Sequence, residues 1–373
     1  MNIGILKEIK PSEYRIPLVP QGVRKLMERG HGVIVQSGAG DGAGYPDETF
    51  NGIGARIAPD ADTVTRAADL IVKVKEPIPE EFDRFREGQA LFCFLHSETR
   101  PSLVDMLLDR KMTAVAFENV LLDDGARPLL APMSIIAGQQ AVLQGMAFLC
   151  NHRGGVGTSL VAYPGLAPAE VVILGAGQAG FHAATVAAGL GAQVSLFEID
   201  GKRIGRIAPL LPANVRVLSI ETVPLRSYLE TADMVIHATT VPPDSARHII
   251  DRKALSHMKT GCVIVDVSAN LGGAIETVDR YTTHTDPVWT VDGIVHYAVT
   301  NIPGTVARTA SAALSLAVLP FLTELADRGV VDALKENAAL RRGLTAHNGR
   351  LTWREAGEYQ DRPWISPDAA VFD

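Results

Sequence analysis

The sequence predicts an α/β protein of two domains, each a parallel sheet with crossover helices, one domain inserted into the other and joined by long helices. Three observations predict it. Short β-branched runs alternate with amphipathic stretches in two separate series, the signature of strand–helix–strand units. Two long apolar helical runs bracket the second series. A loop rich in glycine and proline, Arg153–Pro168, separates the first of those runs from it. At 373 residues the chain is long for one core and a comfortable length for two.

In the first series the strand candidates are Ile3–Leu6, Val33–Gln36, Leu70–Val74, Ala90–Leu95 and Thr113–Phe117. Between them lie helix candidates such as Pro20–Arg29, which starts on proline and stops before Gly30. Pro132–Asn151 is the first long helical run. The second series reads as strands at Val171–Leu174, Gln193–Phe197, Val215–Ser219, Met234–Ala238 and Cys262–Val267, with weaker candidates at Val288–Val291 and Ala298–Asn301. Arg308–Arg328 is the second long helix, and the tail Gly329–Asp373 is mixed. The expected division is residues 1–130 with 308–373 as one discontinuous domain, and 131–307 as the other.

Composition narrows the partners. Hydrophobic residues make up 47% and charged residues 21%, ordinary for a globular protein, and a formal net charge of -7 argues against nucleic acid. The three cysteines, Cys93, Cys150 and Cys262, each sit in an apolar run without a C-x-x-C pair, and are expected to be small buried hydrophobes. The chain opens on a strand-like run, so no signal peptide is expected. The apolar stretches around Ile135–Leu149 and Ala310–Ala326 read as buried helices, short of a membrane span. No metal site and no membrane association are expected, and the location is cytoplasmic.

Chemistry enters at Glu170–Gly180, EVVILGAGQAG, where G-x-G-x-x-G directly follows an apolar strand and opens the helix Phe181–Leu190. Gly175 permits a tight turn, Gly177 close approach of a pyrophosphate, and Gly180 close helix–strand packing. The helix N-terminus offers free N–H groups and a positive dipole to the anion. The next strand ends at Glu198, 18 residues beyond Gly180, where a carboxylate hydrogen-bonds ribose hydroxyls. The unit therefore reads as a Rossmann-like dinucleotide site. Glu198 repels a 2′-phosphate and favours NAD over NADP, outweighing Lys202 and Arg203 downstream.

Open parallel sheets bind ligands beyond the carboxyl ends of their strands. Arg15, Lys75, His96 and Glu118 follow strands of the first series, and Asn270 follows one of the second. An arginine can grip a carboxylate through a two-pronged fork, and a lysine adds a point charge at a carboxylate or carbonyl oxygen. A histidine can pass a proton as hydride moves. Together Arg15, Lys75 and His96 suit a small 2-oxo or 2-amino acid. Each has a plainer reading as a solvated charge or a structural residue.

The runs MNIGILKEIKPSEYRIPLVP at 1–20, IVKVKEP at 71–77, FLH at 94–96, LLAPMS at 129–134 and VHYAVTNIPGTVARTAS at 295–311, with the glycine turn, resemble alanine dehydrogenases from Met1 to about residue 350. The resemblance implies a two-domain NAD-dependent amino-acid dehydrogenase with an interdomain cleft, commonly a hexamer. It implies substrate contacts at Arg15 and Lys75, acid/base work at His96, and cofactor contacts at Ser134, Glu198, Arg203, Val267, Asn301 and Ile302. The related alpha subunit of proton-pumping transhydrogenase shares the fold, but this chain lacks the membrane segments of the complete pump.

The chain also departs from the family. Asn270, in VDVSANLGG, stands where alanine dehydrogenases carry a catalytic aspartate, and asparagine cannot take up a proton. Ile135 and Gln139 replace a glutamate and an arginine in the family's SEVAGR. The expected function is hydride transfer between NAD(H) and a small 2-oxo acid/2-amino acid pair, alanine/pyruvate by default, with ammonia as co-substrate. Two alternatives stay open: a shifted substrate, such as another imine or 2-oxo acid, or a catalytically weak NAD-binding sensor or assembly protein.

Overall fold

The computed structural model describes residues 1–239, 248–268 and 273–372. In chain order its strands are β1 (Asn2–Ile5), β2 (Gly32–Gln36), β3 (Arg56–Ala58), β4 (Leu70–Val72), β5 (Ala90–Cys93), β6 (Thr113–Ala116), β7 (Glu170–Leu174), β8 (Gln193–Glu198), β9 (Val215–Ser219), β10 (Met234–His237), β11 (Val263–Asp266), β12 (Val288–Val291), β13 (Ile294–Tyr297), β14 (Leu344–His347) and β15 (Arg350–Leu351). The chain divides into two compact units, Met1–Met133 with Gly304–Asp373, and Ser134–Pro303.

The first unit carries a sheet ordered β15-β14-β6-β5-β4-β1-β2-β3. Strands β1 to β6 are parallel, and the strand order reverses between β1 and β4. The strands β4, β5 and β6, such as Leu70-Ile-Val72, are buried throughout, as strands covered on both faces are. The mixed tail completes this sheet: β14 runs antiparallel to β6, and β15 antiparallel to β14.

The second unit repeats the plan in the order β12-β13-β11-β10-β7-β8-β9, reversing between β7 and β10. Both reversals are the switch points of doubly wound sheets, where ligands bind. One face packs on the helix Gln178–Leu190 through Ala183, Ala184 and Ala187. Close approach there requires small residues. A Cβ on Gly138, in the helix Ala131–Phe148, would stand 2.0 Å from the Ala179 carbonyl oxygen.

Several expectations are corrected. The second sheet is not purely parallel, and Ala298–Asn301 is not a strand. The strand lies earlier, at β13, paired antiparallel with β12 across Asp292-Gly293. Both turn residues have positive φ, 51° and 81°, the two-residue hairpin that an Asp-Gly pair favours. Val299 forms only an isolated bridge to Thr282. The helix after the glycine turn begins at Gln178, inside the motif, rather than at Phe181. β5 stops at Cys93 rather than Leu95, because the N–H groups of Leu95 and His96 turn to the Glu118 carboxylate. Cys93 and Cys262 are buried, but Cys150 is exposed, since it lies at the end of its helix.

By length and hydropathy Ile302–Arg328 does reach the size of a membrane span, so for the second of the two apolar runs the expectation that it falls short fails on length. The helix Ala307–Arg328 nonetheless packs Leu314, Val318, Leu322 and Leu325 into the first unit. Its Ser311 and Ser315 hydroxyls accept the N–H groups of Ile16 and Val19.

The glycine packing makes a paired prediction. Gly138→Ala should lower stability by about 1–3 kcal/mol, because its methyl meets backbone. Gly189→Ala, in the last turn of the helix Gln178–Leu190 with nothing within 4 Å of its Cβ, should raise it by about 0.4–1 kcal/mol. Denaturant titration of both variants reads the two signs.

Candidate functional site

In the first unit the candidate residues gather at the carboxyl ends of β1, β4, β5 and β6, beside the switch point. Lys75 and His96 are each held by a buried carboxylate from a neighbouring segment. Glu8, just past β1, accepts the N–H groups of Val74 (2.6 Å) and Lys75 (3.2 Å). Behind it the fully buried Lys73 lies 2.9 Å from Glu81 and 3.3 Å from Glu8. Glu118, past β6, accepts the N–H groups of Leu95 (3.0 Å) and His96 (2.6 Å). His96 adopts a left-handed backbone, φ 45°, and its ring stacks against Phe94. Glu76 joins Lys10 and Arg100.

Arg15 is buried, and its guanidinium is already engaged. Its Nε and Nη2 donate to Glu13 at 2.7 and 2.5 Å, and its Nη1 meets the Met133 sulfur at 3.0 Å. The expected two-pronged grip on an external carboxylate is thus taken up internally by Glu13. The Arg15 Nη1 faces the Met133 thioether, a weak acceptor.

The charges act on one another. Burial, then the Arg15 charge, lowers the Lys75 pKa. Burial, then Lys75, with Arg100 and Lys10 adding to it, holds the half-buried His96 imidazole down to about 3 against the pull of Glu76, so the ring is neutral. Burial raises Glu118 to about 7 even though backbone N–H groups favour its charged form. Its Oε1 stands 3.8 Å from His96 Nδ1. Arg15, Lys75, His96 and Glu118 therefore belong to one electrostatic group, in which Lys75 is the cation that acts most on His96.

In the second unit the glycine turn sits at the end of β7. Gly175 has φ 92°, a conformation that L side chains rarely adopt. Gly180 stands so close to it that a Cβ would lie 1.8 Å from the Gly175 carbonyl oxygen. Gly177 opens the helix and leaves its Cβ position clear. Glu198, at the end of β8, ties this turn down: Oε2 accepts the Ala176 N–H at 3.0 Å, and Oε1 those of Ile199 and Asp200 at 2.8 and 3.0 Å. Burial raises its pKa, but these N–H groups, with Arg203 Nη1 at 3.4 Å, outweigh it and keep the group acidic.

The remaining sequence candidates are more scattered. Ser134 lies in the first turn of Ala131–Phe148. Val267 follows β11 and donates its N–H to the His237 carbonyl at 2.9 Å. The Asn301 carbonyl faces His284 Nε2 at 3.1 Å, and Ile302 is buried. Asn270 lies outside the described residues.

Sequence reasoning missed Glu8, Glu13, Lys73, Glu76 and Arg100. The signal lay in the charge-dense stretches Lys7–Lys10, Glu13–Arg15 and Lys73–Glu76 at strand ends, where charge needs a partner once buried. It also missed His237 and Asp266, the polar last residues of the otherwise apolar strands β10 and β11.

Residues 4–137 match the model of the alanine dehydrogenase/PNT N-terminal domain, and residues 141–354 that of the C-terminal domain. The chain is 39% identical to an alanine dehydrogenase of Methanococcus maripaludis over the whole of both chains. It is 43% identical to one of Halomonas elongata over 96% of each. A solved L-alanine dehydrogenase superposes with a TM-score of 0.91 at 40% identity, covering 97% of this chain and 99% of that one. A transhydrogenase from Sinorhizobium meliloti shares the fold, with a TM-score of 0.78 at 24% identity. With both its domains matched and its length spanned end to end by such relatives, the chain belongs to the alanine dehydrogenase/PNT family.

Proposed function

We propose that this chain is an NAD-dependent amino-acid dehydrogenase that interconverts a small 2-amino acid and its 2-oxo acid, with alanine and pyruvate as the default pair. The observation that carries this reading is the convergence of Arg15, Lys75 and His96 at the first sheet's strand ends, in a chain that also holds a glycine turn pinned by Glu198. Residues 1–130 with 308–373 are read as the substrate-binding domain and 131–307 as the cofactor domain. The reaction balances as 2-amino acid, NAD+ and water giving 2-oxo acid, ammonium, NADH and a proton.

The residues present fit the dinucleotide. Gly177 leaves room for backbone approach to a pyrophosphate, and the acidic Glu198 suits ribose hydroxyls. Gly175, Gly180, Ser134, Arg203, Val267, Asn301 and Ile302 complete the proposed cofactor contacts. When bound, the dinucleotide supplies the hydride acceptor or donor. Lys75 and the Met133-facing arm of Arg15 bind the substrate carboxylate and carbonyl oxygen, while Glu13 fixes the guanidinium plane. His96, neutral in the free protein, takes a proton during amino-acid oxidation and returns it in the reverse direction. Asn270 is proposed to offer hydrogen bonds beside this chemistry without a proton of its own to exchange. The family resemblance supports a homo-oligomer, a hexamer, in the cytoplasm.

The direct test is turnover with ammonia, a panel of 2-oxo acids, and either NADH or NADPH. Wild type should oxidise NADH with pyruvate or a close homologue and use NADPH poorly. His96→Gln should lower kcat by about 10²–10⁴-fold while leaving NADH affinity intact. Tight NADH binding without turnover on any acid, in wild type and in Asn270→Asp alike, would mean that the chain is a binding protein.

The neutral histidine gives a second test. In the substrate-free protein the His96 imidazole signal in an NMR titration should stay neutral to below pH 5. Its depressed pKa must rise in Lys75→Met, because a repelling charge is removed. A bound 2-oxo acid should shift it the same way by neutralising that charge. A His96 that titrates between pH 6 and 7 with no ligand, unmoved by Lys75→Met, contradicts the electrostatic account.

A further inference from the structure

The second unit holds a buried polar relay that the mechanism above does not use. His237 ends β10 and Asp266 ends β11, directly opposite in register, and both are almost completely buried. His237 Nδ1 lies 2.8 Å from Asp266 Oδ1, and Nε2 lies 2.6 Å from the Thr239 hydroxyl. The same Asp266 oxygen accepts the Ser268 N–H at 3.0 Å, and the Ser268 hydroxyl donates to the Thr239 carbonyl at 2.5 Å. Histidine is costly inside an apolar strand end unless both ring nitrogens are satisfied, and here both are.

The relay sets a polarity. Asp266 acts as acceptor, so Nδ1 carries the proton toward it. In the neutral ring Nε2 is then the acceptor, and the Thr239 hydroxyl must spend its one hydrogen on Nε2. What Thr239 offers outward is lone pairs alone. The residue is half-buried and sits against the glycine turn: a Cβ on Gly175 would lie 2.7 Å from its methyl group. It therefore borders the switch point between β7 and β10. Glu198 lies on the β8 side of β7, and Thr239 follows β10 on the other side. A dinucleotide with its adenosine ribose at Glu198 extends its nicotinamide half toward Thr239.

We propose that His237 is a positioning residue for the dinucleotide: it fixes the Thr239 hydroxyl as a hydrogen-bond acceptor for a donor group on the nicotinamide half. This rests on the NAD reading above. The phosphates carry acceptors only, so the ligand group is an O–H of the ribose or the N–H of the carboxamide. Asp266 sets the ring's tautomer, as carboxylates do for histidines with a fixed task.

The test is NADH affinity by fluorescence titration of the full chain. Thr239→Val, which keeps the shape, should raise Kd about five- to tenfold, the range of one hydrogen bond, and Thr239→Ser should restore it to within about twofold. His237→Asn should weaken binding similarly alone and add little on the Thr239→Val background, because it acts through the same hydroxyl. Repeating the series with 3-acetylpyridine adenine dinucleotide, reduced form, separates the two donors: a Thr239→Val penalty that vanishes identifies the carboxamide, and one that persists identifies the ribose. Equal NADH affinity in wild type and Thr239→Val overturns the proposal, as does a His237→Asn effect that simply adds to that of Thr239→Val. If wild type itself binds no NADH, the dinucleotide reading falls and takes this one with it.

Discussion

A carboxylate that accepts backbone N–H groups where a parallel strand leaves its ladder recurs at each centre of chemistry in this protein. Glu8 does so for Val74 and Lys75, Glu118 for Leu95 and His96, and Glu198 for Ala176, Ile199 and Asp200. A strand end leaves donors that must be paired when buried. A loop of ordinary composition would leave them to water. Here an acidic side chain meets them, and each bond to a charged acceptor contributes about 1.5–3 kcal/mol toward the cost of burying that charge. The loops carrying Lys75, His96 and the glycine turn are thereby fixed to rigid elements.

That constraint shapes the electrostatics. Burial acts first on His96, Lys75 next, with Arg100 and Lys10 adding to them, and Glu76 pulls the other way. Glu13 absorbs much of Arg15's charge. Burial and the Lys75 charge together keep the histidine unprotonated in the free protein.

The fold was largely legible in the sequence, because doubly wound sheets write themselves as apolar runs in regular alternation with helices. The glycine turn was legible for the same local reason: Gly175 needs positive φ, and Gly180 needs the absence of a Cβ. The β12–β13 hairpin was also written locally, in Asp292-Gly293, and was missed by reading apolar content instead of the turn. The β14–β15 hairpin was written in the same way, in Asn348-Gly349 at positive φ; only the antiparallel pairing of β14 with β6, more than 200 residues away, leaves no local signal. Arg15, Lys75 and His96 could be singled out as residue types beyond strands. Of the partners that position them, Glu118 was visible as a strand-end acid, but Glu8, Glu13 and Glu76 look like any surface acid until burial makes their bonds compulsory.

The most direct measurement of this account is amide hydrogen exchange, residue by residue, in the ligand-free protein. The N–H groups of Lys75, Leu95, His96 and Ala176 lie outside strand ladders, yet should be protected nearly as well as those of β4, β5 and β7. Replacing Glu118 with alanine should release Leu95 and His96 while leaving Ala176 protected. Exchange of these amides at the rate of open loops in the wild type would contradict the claim that buried carboxylates hold the site in place.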